Sequence, residues 1–108
     1  CDVSKGAAAR LSGIEAPSYE DNEVSFEELQ ARIIKTVKFL ESIPAEKIDG
    51  SEEKEITLKA GPTEFKFTGK TYLQNFVLPN VYFHATTAFN ILRHNGVEIG
   101  KMDFLGTS

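Results

Sequence analysis

Apolar residues recur along this chain with two different periods, and the switches between them divide it into elements. Between residues 2 and 12, Val3, Ala7, Ala8 and Leu11 fall at helical spacing, and Gly13 is placed to stop the helix. A helix this short is marginal alone, so the stretch reads as the tail of a longer one. Residues 14–24 carry Pro17, Asp21 and Asn22 and read as a surface connection. Ser25 and Glu28 then form a capping box, in which hydroxyl and carboxylate each satisfy an orphan backbone N–H. Val24 is placed to staple against Leu29. Leu29, Ile33, Val37 and Leu40 continue one apolar stripe, which predicts a helix over about 25–43, ending before Pro44.

The period then changes to two. In residues 55–60 Ile56 and Leu58 alternate with Thr57 and Lys59; after Gly61-Pro62-Thr63, Phe65 and Phe67 alternate with Lys66 and Thr68. This predicts a β-hairpin at about 55–68, its apolar side laid on the helices. Residues 70–95 are so rich in apolar side chains, from Tyr72 to Leu92, that they surround a helix and predict burial on several sides. Pro79 should kink or split that helix, and Asn95-Gly96 should end it. The tail, 97–108, should fold back onto the rest. These elements predict a single, mainly all-α domain over 1–108, a helical bundle with a small hairpin insertion. Leaving one face of the last long helix bare, at roughly 25 cal/mol per Å², would cost several kcal/mol. A missing helix or a partner chain is therefore expected to cover it.

Composition narrows the function classes. A formal net charge of −4 with scattered Lys and Arg lacks the clustered basic face of a nucleic-acid binder. No run approaches the ~18 apolar residues of a membrane helix, and no signal-peptide pattern is present. The mixed run Ser51–Glu55 reads as a solvated loop flank. The single cysteine, Cys1, rules out an internal disulfide, and a cytoplasmic location is expected. The chain starts at Cys1 without a Met and reads as truncated or processed. A lipidated cysteine would be followed by a polar tether, whereas Asp2–Leu11 reads as helix.

Candidate chemistry is sparse. His84 and His94 lie ten positions apart on one predicted helix, about 15 Å and roughly 80° from each other, so they cannot share a metal. His94, beside Arg93 in the last turn, suits the helix dipole. His84 follows Asn80 at i+4, on a face continued by Thr87, Ala88 and Ile91. It reads either as a core histidine with Asn80 as a buried partner or as part of a site. Glu27, Glu28, Glu52, Glu53 and Glu55 fall on predicted surfaces, while Asp103, among Met102, Phe104 and Leu105, is expected to be drawn inward. Paired cysteines, a Gly-rich phosphate loop and a nucleophile elbow are all lacking.

The stretch Phe83-His84-Ala85-Thr86-Thr87-Ala88-Phe89-Asn90-Ile91-Leu92-Arg93-His94-Asn95-Gly96-Val97, followed by Gly100–Gly106, strongly resembles an uncharacterised bacterial domain-of-unknown-function family. Cys1 to Gly13, Glu55–Leu58 and Phe67-Thr68-Gly69 resemble it too. That family is placed with the DinB-like (DinB/YfiT) superfamily. The resemblance implies a four-helix bundle, here lacking its first helix, often dimeric. It also implies a divalent metal, nickel or zinc, on three histidines, and thiol-dependent transferase or hydrolase chemistry. Counting back from Gly96, His84 matches the second histidine of the late His-x-x-x-His pair, but Asn80 stands at the first. The early ligand falls at or before the start of the chain, so Cys1 is a candidate by proximity alone. An amide oxygen is a weak donor beside one imidazole. The expectation is a degenerate metal site on a small-ligand-binding or dimeric interaction module. The alternative is a metal-dependent enzyme completed by residues upstream of Cys1.

Overall fold

A computed structural model of the protein describes residues 1–106. Thr107 and Ser108, the end of the predicted tail and domain, lie outside the described residues. The first helix, α1, spans Asp2–Ser12 and ends as expected on Gly13, whose φ of 75° is left-handed and whose N–H donates to the Ala9 carbonyl. Lys54 completes that end by donating from Nζ to the Arg10 and Leu11 carbonyls at 2.9 and 3.3 Å. Helix α2, Phe26–Glu41, carries the predicted capping box: Ser25 Oγ accepts from the Glu28 N–H at 3.2 Å, and Glu28 accepts from the Ser25 N–H at 3.0 Å. The staple does not form. Val24 is 90% exposed, and its backbone N–H donates to Glu28 instead.

A single 3₁₀ turn at Ala45–Lys47 leads towards the hairpin. Strands β1, Glu55–Ala60, and β2, Thr63–Thr68, pair antiparallel with Ile56 opposite Phe67 and Leu58 opposite Phe65, as the alternation requires. Thr68 caps the next helix, α3, Gly69–Tyr72, which runs through a π-turn at Leu73–Val77 into α4, Leu78–His94. Pro79 neither breaks nor splits the chain. The helix widens just before it, Leu78 N–H reaching back five residues to the Leu73 carbonyl. Pro79 then sits in the first turn of α4, where its missing donor costs little. Helix α5, Lys101–Leu105, returns along α4, with Phe104 edge-on to Phe89 at 5.4 Å.

The core gathers around α1. Ala7 and Leu11 meet Ile56 of the hairpin and Tyr72 and Val77 of the helix beyond it. Tyr72 is 1% exposed, flanked by Phe76 and Phe67 at 5.7 Å each, and its hydroxyl accepts from Arg10 at 3.1 Å. α1 packs against α2 on one side and against the π-turn and α4 on the other. The predicted burial of α4 on several sides is not what the structure shows. No residue of α4 is buried, and Tyr82, Phe83 and Ile91 are 59%, 67% and 57% exposed. Among the described residues α1 packs against it and Phe104 of α5 meets its Phe89. The radius of gyration, 15.7 Å, exceeds the ~13 Å of a compact chain this long, as expected when a helix projects. The fold is mainly helical with one small two-stranded antiparallel sheet.

Candidate functional site

Because α2 and α4 each rest on α1, they leave a groove between them. α4 turns Val81, His84, Ala85 and Ala88 towards it, at the i, i+3, i+4 and i+7 positions of one helix face. Ile33 of α2 faces them, and the first turn of α1 from Cys1 to Ser4 forms the floor. The groove measures about 630 Å³, and its walls are mostly aliphatic. Cys1, Asp2 and His84, all exposed, are among the residues that line it. Cys1 and His84, which the sequence could associate only by proximity along an expected motif, thus share one cavity.

His84 is not a core histidine. Its side chain is exposed, and its ring meets Phe83 edge-on at 5.4 Å. Asn80 is not its partner either: Asn80 Nδ2 donates at 2.7 Å to the Phe76 carbonyl one turn back along the same helix. His94 is exposed in the last turn of α4, where the sequence places it. Asp103 is exposed rather than drawn inward, because its carboxylate accepts the Gly100 N–H at 2.7 Å and closes the start of α5.

The residues present do not fit a divalent metal. Among the described residues no three His, Cys, Asp or Glu side chains stand close enough to hold an ion. The amide of Asn80 is committed to the backbone. Asp2, a carboxylate that lines the groove, is held by Lys5 and Arg32 at 3.2 Å each. Burial pushes the Asp2 carboxyl up, but hydrogen bonds and charges from Lys5 and Arg32 outweigh it and leave the group below the usual carboxylate range.

Behind this floor lies a cluster that sequence reasoning missed. Arg32 donates to Glu23 at 2.9 Å and to the Glu20 carbonyl at 3.0 Å, and pairs with Asp21 at 2.9 Å as well as with Asp2. Its side chain is only 10% exposed. Tyr19 lies against the same cluster, with Lys5 Nζ and Lys35 Nζ 3.9 and 4.1 Å from its ring centroid. The hydrogen bond from Arg32 holds the Glu23 carboxyl below its usual range, and the carboxylates push the guanidinium up. The cluster ties the 14–24 connection and α2 to the first turn of α1, which is the floor of the groove. Only acidic residues flanking a capping box hinted at it, and the pairing of Glu23 and Asp21 with an arginine nine and eleven residues on has no local signature.

A family model described as "Domain of unknown function (DUF1993)" matches residues 1–105. This chain belongs to the DUF1993 family. The DUF1993 chain is also similar to a solved structure, a DinB family member protein from Shewanella denitrificans, with 37% sequence identity and a TM-score of 0.91. The match covers 100% of this chain and 61% of that one, so the DUF1993 chain spans about three-fifths of its relative's length. No curated protein matches it. The resemblance to a DinB-like domain of unknown function is thereby supported by both comparisons. No helix among the described residues is long and apolar enough to cross a membrane.

Proposed function

We propose that this DUF1993 chain forms most of a DinB-like helical bundle whose metal site has decayed, leaving a binding module with its site in the groove at His84. The observation that carries this reading is the groove itself: about 630 Å³, lined by Ile33, Val81, Ala85 and Ala88 together with His84. That volume lies within the ~300–1,000 Å³ usual for small-molecule sites. Its chemistry suits a small ligand with an apolar body and one hydrogen-bonding head, the imidazole serving as donor or acceptor. The protein would work in the cytoplasm, where a lone cysteine stays reduced.

The test uses the full-length polypeptide titrated with benzyl alcohol, benzoate and benzylamine, which share a body and differ in head group. At least one should give saturable NMR shifts confined to His84, Ala85, Ala88 and the first turn of α1. Ala88→Phe, which fills the groove, should abolish them. Shifts that never saturate, or that fall elsewhere, overturn the reading.

A second reading is favoured by one observation, that Cys1 and His84 line the same groove. It is a divalent-metal-dependent enzyme of thiol-type transferase or hydrolase chemistry, with nickel or zinc on His84, Asn80 at the position of a weak ligand, and further donors from upstream of Cys1. Metal analysis of the full-length protein with and without His84→Ala separates the two. Stoichiometric metal lost in the variant supports the enzyme; none in either sinks it. The bare faces of α2 and α4 are also where a missing helix of the bundle, or a second copy in a homodimer, would lie.

A further inference from the structure

Tyr72 and Val77 are 1% and 5% exposed and pack into one cluster with Ala7 and Leu11 of α1. They stand five positions apart in a continuous helical run. Five residues of a regular α-helix turn through about 500°, which would leave the two side chains about 140° apart and one of them outside the core. The π-turn at Leu73–Val77 removes that conflict, because bonds that reach back five residues take one residue more to come round. Val77 then opens the face that Val81, Ala85 and Ala88 continue at i+4, i+8 and i+11, with His84 at i+7. Val81 packs on the same cluster as Val77 before the face runs on into the groove. Core and groove lie on one line of the helix because the turn holds one residue more than an α-helix would. Asn80 latches it, donating from Nδ2 at 2.7 Å to the carbonyl of Phe76, a residue of the turn.

We propose that the π-turn is a phase-setting joint that aims His84, Ala85 and Ala88 into the groove, and that Asn80 is the positioning residue that latches it. Closing Leu73–Val77 into α-helix with every residue in place would turn α4 about 100° against the core, one residue's worth, and carry His84 out of the groove. Pro79 benefits from the joint and does not cause it, since burying both Tyr72 and Val77 demands the wider turn whatever follows. Asn80 thus acts on the site through the helix backbone, from the position where the resemblance places a metal ligand. The aim of α4 stands on these core contacts; only its use for a ligand rests on the binding reading.

NMR on the full-length protein tests it. Couplings across hydrogen bonds identify the acceptor of the Leu78 N–H, and methyl NOEs to Val3, which lines the groove, identify the side of α4 that faces α1. In Pro79→Ala the acceptor should remain the Leu73 carbonyl, and the NOEs should come from Val81 and Ala85. Removing Asn75, an exposed residue of the turn, from that variant should give a plain α-helix with the same NOEs, since nothing is left to absorb. Asn80→Ala should speed amide exchange at Leu78 about fivefold relative to Phe89, the loss of one net hydrogen bond. Asn80→Ser, whose hydroxyl reaches the same carbonyl four residues back, should restore most of the protection. Transfer of the Leu78 bond to the Gln74 carbonyl in Pro79→Ala would make the proline the cause of the turn and overturn the proposal. NOEs that move to Thr86 or Thr87 in the deletion variant, or exchange that Asn80→Ala leaves unchanged, would overturn it too. Should the deletion variant not fold, the single substitutions still decide. The expected couplings and NOEs in a protein that ignores all of the benzyl probes leave the joint standing and strike the binding reading alone.

Discussion

Replacing Gly69 by alanine should be the most damaging single methyl group that can be added to this chain. A Cβ at Gly69 would lie 1.9 Å from the Ser51 carbonyl oxygen, 2.9 Å from its carbon and 3.3 Å from Leu11 Cδ2. Ordinary contact begins at 3.4 Å, so the two backbones must part by roughly 1.5 Å, the difference between 3.4 and 1.9 Å. The Ser51 atoms are backbone and cannot swing aside, and Leu11 is packed in the core. The separation breaks the Lys70 N–H bond to the Glu52 carbonyl, now 2.9 Å, worth about 1 kcal/mol net. It also strains the Thr68–Thr71 cap, worth about 1 kcal/mol, and loosens Leu11 in the core by a similar amount. Better helix propensity returns up to about 1 kcal/mol, leaving a net loss of about 2–3 kcal/mol. Urea melts of the full-length protein would show it as a lower midpoint at unchanged slope. Gly50→Ala is the control: φ is +82° there but nothing lies within 4 Å, so the cost is only the left-handed conformation, about 1 kcal/mol. If Gly69→Ala costs no more than Gly50→Ala, the close approach is not what fixes the helix start and the argument fails.

Other substitutions probe the core and the caps. Tyr72→Ala should cost about 3–5 kcal/mol in thermal or urea melts, because the ring is 1% exposed between Phe67 and Phe76. Tyr72→Phe should cost only about 0.5–1 kcal/mol, since Arg10, its hydrogen-bond donor, is exposed and can turn to water. Ser25→Ala should lose about 1 kcal/mol, and adding Glu28→Ala should cost less than the sum of the two single changes, the mark of a shared cap. The Arg32 cluster should make stability fall in acid. Asp2 and Glu23 have carboxyls depressed below their ordinary values of 3.8 and 4.5, so their contribution is fully present above those values. It is lost as pH falls through the depressed values. Arg32→Gln should flatten this part of the curve in acid titrations followed by circular dichroism, and an unchanged acid limb would refute the assignment.

What was legible in the sequence, and what was not, follows from how far each signal reaches along the chain. The cap at Ser25 and Glu28, the stop at Gly13 and the pairing of Ile56 with Phe67 are set by residues within a few positions of one another or by strict alternation, and all three form. Pro79 shows how a local rule is satisfied by an unforeseen means, the π-turn placing the ring where no donor is needed. The Val24 staple failed because Glu28 claims the Val24 N–H and sends the side chain to water. At the site, spacing alone put Asn80 and His84 on one face, but a face is not a partnership, and the amide found a nearer carbonyl on its own helix. Nor can periodicity say whether an apolar helix is covered, since it records what α4 can bury and not what is there to bury it. That is why Val81, Ala85, Ala88, Ile91 and Leu92 read as core from the sequence, yet the first three line an open groove and the last two stand exposed. A surface built like a core and left bare is the most informative feature of the molecule: its residues fit an interior that these elements alone do not close.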